Sequence, residues 1–451
     1  MKLNIWKLND LSPSEKARIL RRSEIAIDDV IDKIKPIIED VRLRGDAALI
    51  DYAKQFDKAD ISGGIKATDA DFAKAYQTLA PEVLAAIKFC AGNVTTHHQQ
   101  QMARVEREWM EEISPGVFGG EKVTPIDSVG IYVPRGKGAY PSMMYMLCAP
   151  AKIAGVRTIA VVTPPTPDGG FDDASLVAAD VCGVRNVYKA GGAQAIAALA
   201  YGTSTIPKVA KVEGPGSPYV AAAKRLLSHV IDPGMPAGPS EAIVLADDTA
   251  NAWNTALDMM NEAEHGGDSA CILVTDSEKF ANEVAAALPK VLAALPDQRR
   301  QYCEIGFATF GGIMICPDMN AAIDFCNEYA VEHLLIKTKN PEAILPRIKN
   351  AGEILLGETT PSVLGNFGIG INAVLPTGGA ARTHSCTSVW SFLKRSSISY
   401  VTPAGYQTLK QPVATLAEYE GFIGHAHVTQ KRDESGFKPI NIEFAKHTGQ
   451  K

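Results

Sequence analysis

The sequence predicts an α/β chain: two parallel-sheet, incomplete Rossmann-like domains followed by a small helical C-terminal arm domain. Three observations predict it. Short β-branched runs alternate with helix-length apolar patterns from about residue 129 to 357. A joint rich in Pro and Gly, IDPGMPAGPSE at 231–241, divides that alternation in two. From about Trp390 the chain turns mixed and polar, with few core residues of its own.

Residues from about Glu24 to Thr96 read as helical, because IAIDDVIDKIKPIIEDV places apolar side chains three and four apart. Strands follow at GIYV (130–133), TIAVV (158–162), NVYK (186–189) and VAKVEG (209–214), with helical stretches such as ASLVAADVC and AQAIAALAYG between them. After the joint come EAIVLA, a helix from about Ala250 to Glu264, ACILVT and a helix near Ser277–Leu288. GGIMIC, a helix near Ala321–Ala330, HLLIK, a helix near Pro341–Ala351 and EILLG complete the second alternation. The expected domains are 1–128 with 237–385, then 129–236 as the cofactor-side domain, and 386–451 as the arm.

Composition excludes several classes. A net charge of −6 over 451 residues, with no dense basic run, argues against a nucleic-acid partner. The longest apolar stretch, around Met143 to Ala154, contains Pro and Lys and falls short of the roughly 18 residues of a spanning helix. The N-terminus lacks the apolar core of a signal peptide, so the expected compartment is the cytoplasm, with no membrane partner. The eight cysteines include no CxxC pair and mostly sit in apolar runs, as structural thiols in a reducing compartment do.

Four segments carry candidate chemistry. In MNEAEHGGDS (260–269), Glu262 and His265 are three apart at a predicted helix end, a spacing that suits two ligands of one metal ion and equally a solvated surface pair. In VEHLLIK (331–337), Glu332 and His333 open an apolar run. Strand neighbours face opposite ways, so both reach one site only at a bend or strand end. The stretch 364–390 carries five glycines and the polar residues Asn366, Asn372, Thr377, Arg382, Thr383, His384 and Ser385, as a binding loop would. In EYEGFIGHAHVTQKR (418–432), Glu420, His425 and His427 cluster in the arm. VPRGKG (133–138) and KAGGAQA (189–195) follow predicted strands, but neither is a GxGxxG fingerprint, so spacing does not establish a nicotinamide site.

Ten collinear pieces resemble the histidinol dehydrogenase family: GIYVPRGKGAYPS, MLCAPAKIAGV, VTPP, KAGGAQAIAALAYGT, VEGPGSPYV, PAGPSEAIVLAD, NEAEHGGDS, EHLLI, NAVLPTGGAAR and EGFIGH, spanning about 130–425. The resemblance implies a zinc enzyme that oxidises an alcohol to a carboxylate in two NAD-dependent steps. It also implies a homodimer whose arm completes the partner's active site. Carried onto matching positions, the zinc ligands are Glu262, His265, Asn366 and His425. Glu262 stands where the family usually has Gln and Asn366 where it usually has Asp, so one anionic ligand is kept on the opposite member. The resemblance makes Glu332 and His333 catalytic: His333 as general base, Glu332 activating water. Tyr132, Gln194 and Ser217 fall on NAD-contacting positions, the last usually Asn, and Ser240 and Glu420 on substrate-side positions.

The family's usual His after the Asn of INAVLP is Ala373 here, while His384 stands where a small residue is usual. With Arg382 and Asn372 nearby, this predicts a pocket for a small anionic diol. The expected substrate is 2,3-dihydroxypropane-1-sulfonate, oxidised to 3-sulfolactate as in sulfopropanediol dehydrogenases. L-Histidinol is the alternative, and a non-catalytic small-molecule-binding homologue the reading from another class.

Overall fold

A computed structural model of the chain describes residues 2–22, 28–135 and 138–436. Gly136 and Lys137 of VPRGKG, and the end of the arm beyond residue 436, lie outside the described residues. The chain packs as two units. One holds the residues up to Met102 together with Ile126–Phe392; the other holds Ala103–Pro125 and the chain from Leu393 on.

In chain order the first strands are β1 (Ile5–Lys7), β2 (Glu108–Ser114), β3 (Val117–Pro125), β4 (Ser128–Tyr132), β5 (Thr158–Thr163), β6 (Val187–Lys189) and β7 (Lys211–Glu213). Then come β8 (Glu241–Ala246), β9 (Ala270–Thr275), β10 (Gly312–Ile315), β11 (Val331–Lys337), β12 (Ala351–Leu356) and β13 (Leu393–Val401).

The first unit contains two sheets, both parallel. A four-stranded sheet runs β6-β5-β4-β7, and a six-stranded sheet runs β1-β10-β9-β8-β11-β12. Strand membership changes over the Pro- and Gly-rich joint, between β7 and β8. The six-stranded sheet is covered on both faces, which is why its strands read as unbroken apolar runs rather than alternating ones. In β8, Ala242, Val244 and Ala246 pack into the core on one face, beside Met259, Phe280 and Leu288. Ile243 and Leu245 pack into the other, beside Ile323, Phe325 and Tyr329. The four-stranded sheet packs Tyr132, Ala160, Val162 and Tyr188 against the Ala-rich helix Gly192–Tyr201. Small side chains let that helix lie close to the sheet.

The N-terminal helical expectation is met by Asp28–Arg44, Asp46–Tyr52, Asp69–Thr78 and Pro81–Met102, and a capped helix precedes them at Pro13–Arg21. Ser12 and Glu15 close a reciprocal capping box on that first helix. The expected helix near Pro341–Ala351 is only Pro341–Ile344 with a 3₁₀ turn, because Pro346 interrupts its ladder.

The second unit is an antiparallel sheet, β13-β3-β2, with helices Pro403–Tyr419 and Ile423–Gln430. The arm therefore adds a nine-residue strand to the helices expected there. All eight cysteines are free. Among the described residues no helix is long and apolar enough to cross a membrane.

Candidate active site

A cavity of about 460 Å³ opens in the first unit. Its walls come from the segments after β4 and β7, the joint before β8, the end of helix Ala252–Ala263, the start of β11 and residues 366–375. It thus faces the C-terminal ends of the four-stranded sheet and the N-terminal ends of the six-stranded one. Glu332 and His333 open β11, at the N-terminal end of that strand.

Glu332 enters the cavity because the strand has barely begun. Ala330 turns the chain with φ 55, and pairing of β11 with β8 starts only at His333. The Glu332 carboxylate accepts the Glu241 backbone N–H at 2.9 Å. Burial pushes its carboxyl up to about 8, although the neighbouring His333 charge pulls it back. The His333 Nε2 lies 3.6 Å from Glu332 Oε1 and 3.9 Å from Glu262 Oε2. Its Nδ1 lies 2.5 Å from Glu353 Oε1. Burial alone would lower the imidazole, but Glu262, Glu332 and Glu353 together push it up to about 10.

Glu262 is in the last turn of its helix, and His265 lies two residues past the final helical residue rather than on the helix face. The turn still brings His265 Nδ1 to 3.4 Å from Glu262 Oε2. Asn366, in the short helix Ser362–Phe367, donates its amide to Glu262 Oε1 at 2.8 Å, as does Asn261. Burial opposes ionisation of Glu262, yet His333, His265, Asn366 and Ser362 hold its carboxyl below the usual range. Glu262 Oε2 is buried with no hydrogen-bond partner.

A cation fits this arrangement: an orphaned, ionised carboxylate oxygen flanked by an imidazole and a carboxamide, which are zinc donor types. Among the described residues no three His, Cys, Asp or Glu side chains are disposed around one metal position. Glu262, His265 and Asn366 supply part of a set and leave room for another donor. His425 and Glu420 belong to the second unit. His425 is exposed in helix Ile423–Gln430 and packs its ring on Phe422, and Glu420 is exposed at the end of helix Pro403–Tyr419.

On the other side, Ser217 caps helix Pro218–Leu226 and lines the cavity without a side-chain capping bond. Tyr132 and Gln194 are buried behind the lining, and Tyr132 Oη accepts the Gly192 N–H at 3.1 Å. Gly192 holds φ 59, a left-handed turn that opens helix Gly192–Tyr201 towards Tyr132. Ser240 and Ala373 line the cavity. Arg135, whose Nε is buried without a partner, is the one Arg or Lys among its described lining residues.

Three expected substrate residues are not brought there. Asn372 is buried, donating to the Met146 carbonyl at 2.6 Å and accepting the Val374 N–H at 3.0 Å. Arg382 is exposed and donates to the Glu328 carbonyl. His384 is exposed beside the Thr383 hydroxyl at 2.9 Å. Arg382 and His384, in and just past the 3₁₀ turn Ala380–Arg382, are not among the residues that line the cavity. Instead the lining is acidic: Glu262, Glu264, Asp268 and Glu332 against Arg135 and two histidines. Glu353 and Arg135 escaped the sequence reading, Glu353 because EILLG reads as an ordinary strand.

The family model for histidinol dehydrogenase matches residues 20–433. A Synechocystis protein named histidinol dehydrogenase is 48% identical over 430 residues, covering 95% of this chain and 99% of that one. A Colwellia psychrerythraea protein named histidinol dehydrogenase homolog is 48% identical over 437 residues, covering 96% and 98%. The crystal structure of histidinol dehydrogenase from Elizabethkingia anophelis superposes with a TM-score of 0.90 at 33% identity, covering 96% of this chain and 98% of that chain.

Proposed function

The chain belongs to the histidinol dehydrogenase family, and on that premise we propose that it oxidises a cationic amino alcohol, L-histidinol to L-histidine being the reading favoured. It is an NAD-dependent, zinc-binding oxidoreductase of the two-step, four-electron alcohol-to-acid type. The observation that carries the substrate reading is that Arg382 and His384, the residues expected to bind a sulfonate, are exposed and do not line the cavity, while a relative named histidinol dehydrogenase is 48% identical over 95% of the chain. The sulfonate reading loses Arg382 and His384, and keeps in its favour only the absence of the usual imidazole at Ala373.

When bound, zinc polarises the substrate oxygen and NAD accepts hydride in each step. Glu262, His265 and Asn366 would hold the metal, and the resemblance gives His425, from a partner subunit's arm, as the remaining donor. His333 takes the alcohol proton at Nε2 as hydride leaves the carbinol carbon. A cation held on Glu262 would oppose the strongest of the charges that raise His333. Glu332 then takes a proton from the water that adds to the aldehyde while His333 returns its proton to the carbonyl oxygen, and His333 takes a hydroxyl proton of the gem-diol as the second hydride leaves. One water is consumed and two hydrides leave for each acid formed. The resemblance puts Ser217, Tyr132 and Gln194 on the nucleotide side, Ser217 in the lining and the other two buried behind it. Ser240 lines the cavity, and the resemblance makes it and Glu420 the substrate-side positions.

We extend the proposal to a cytoplasmic homodimer in which the arm, residues 386–451, completes the partner's site. The arm helices support it: Leu416, Tyr419, Phe422, Ile423 and Val428 are all exposed, Tyr419 at 89%, a patch that a second subunit would cover.

The test is a count of NADH. Zinc-loaded protein with excess NAD and a limiting alcohol should form about two NADH per L-histidinol and none from 2,3-dihydroxypropane-1-sulfonate. Turnover of the sulfonate alone overturns the substrate reading. Silence with both, and with other amino alcohols, favours the binding-only homologue.

A further inference from the structure

Glu353 is a carboxylate without an obvious task. It lies on β12 directly opposite His333 on β11, since the two are register partners in the parallel ladder. Both side chains are 4% exposed. Glu353 Oε1 meets His333 Nδ1 at 2.5 Å, and His333 is its one ion-pair partner among the described residues. Its Oε2 is buried with no hydrogen-bond partner. A buried carboxylate is costly unless a hydrogen-bonded cation or donor offsets it. Space has been left for it as well. A Cβ on Gly365 would stand 3.0 Å from Oε2 and 3.1 Å from Oε1, so any larger residue there would crowd the carboxylate. Glu353 does not line the cavity, whereas His333 does.

Two consequences follow from geometry alone. A carboxylate at Nδ1 selects the tautomer with its proton on Nδ1, because an ionised carboxylate only accepts. The lone pair is then left on Nε2, the nitrogen that faces Glu332 and Glu262. The same contact locks the ring angle and places a negative charge behind the imidazolium that forms when Nε2 is protonated. A carboxylate behind a catalytic imidazole acts in this way on unrelated folds.

We infer that Glu353 is the positioning residue of the reaction, holding His333 in the Nδ1–H tautomer with Nε2 presented to the substrate hydroxyl. This rests on the reading of His333 as the proton acceptor. The alcohol proton passes to Nε2, and the Nδ1 proton stays in the hydrogen bond to Glu353.

Glu353→Gln is the informative change, because it keeps shape and an acceptor oxygen while removing the charge. In the zinc-loaded enzyme it should lower kcat by roughly 10²–10⁴-fold, with KM for alcohol and NAD and zinc content each held within about threefold. Glu353→Asp should recover part of the loss. Enzyme labelled with ¹⁵N-histidine provides a readout independent of turnover: a strongly deshielded Nδ1 proton in wild type, absent from both Glu353→Gln and His333→Gln. Wild-type kcat in Glu353→Gln, or no deshielded proton in wild type, overturns the assignment. If wild type shows that proton but oxidises no alcohol, the pairing stands. In that case the positioning role falls together with the dehydrogenase reading.

Discussion

Glu332 Oε1 lies 3.6 Å from His333 Nε2 although the two residues are consecutive in one strand. They converge because Glu332 precedes the first β11–β8 rung and is tied to the Glu241 N–H instead. The strand end thus places two proton acceptors in one cavity, which a two-step oxidation needs. Glu332→Gln should spare alcohol oxidation and block hydration of the aldehyde, so NADH per alcohol should fall from about two to about one and aldehyde should be trappable. With burial pushing Glu332 up to about 8, oxidation of supplied aldehyde should rise with pH through that value, because only the ionised carboxylate activates water. A flat profile from pH 6.5 to 9, or unchanged stoichiometry in the variant, removes Glu332 from the water step.

His98 predicts acid lability. It is fully buried, its Nδ1 donates to the Val94 carbonyl at 2.7 Å, and its Nε2 faces the Asn372 amide nitrogen at 3.4 Å. Burial lowers its pKa to about 4, against 6.5 for the free side chain. The unfolded chain therefore binds the proton more tightly, and stability falls as pH drops from 6.5 towards 4 by roughly 3 kcal/mol from this group. Urea midpoints at pH 7, 5.5 and 4.5 should decline more steeply in wild type than in His98→Gln. Parallel declines would remove His98 as the cause.

Arg382 and His384 mark the limit of arguing from neighbours in sequence. Both lie within about a turn of the binding segment, yet the structure turns Arg382 onto the Glu328 carbonyl and leaves His384 in solvent. Arg382→Ala and His384→Ala should each leave KM for the alcohol within about twofold, as surface changes away from the site do. Asn372→Ala behaves differently, because it strips a partner from the buried Met146 carbonyl and should cost about 1–3 kcal/mol of stability. A tenfold rise in KM for either surface variant would bring the anionic substrate back.

What could be read in advance followed the length scale of the signal. EAIVLA and ACILVT became β8 and β9 residue for residue, because strands covered on both faces leave a continuous apolar imprint. β13 left none: LKRSSISYV is mostly exposed and pairs antiparallel with β3 from more than 250 residues away. β1 is three residues long and adds to β10 at the sheet edge, too short for any periodic pattern. At the site, Glu332 and His333 were legible as neighbours and Glu262 and His265 by their spacing. Glu353 was not, since its meaning is a register, twenty residues from the ring that it holds.

The exchanged ligands give the sharpest test of the metal site. Glu262 has a buried oxygen without a partner, and Asn366 gives its amide to the other oxygen, so one carboxylate and one carboxamide share the position. If what the site conserves is one negative charge, its location is secondary. Glu262→Gln should then weaken zinc binding by about 10–100-fold, the usual effect of losing a ligating or supporting group. Asn366→Asp alone should set a half-buried carboxylate against the buried one of Glu262 and lower Tm without zinc, while zinc recovers part of the loss. The double variant Glu262→Gln/Asn366→Asp restores both the charge and the family's usual pair, and should return zinc affinity to within about threefold of wild type. Competition with a chromophoric chelator measures all four proteins directly. Additive losses in the double variant would show that the two residues do not share one metal ion, and the ligand assignment would fail with them.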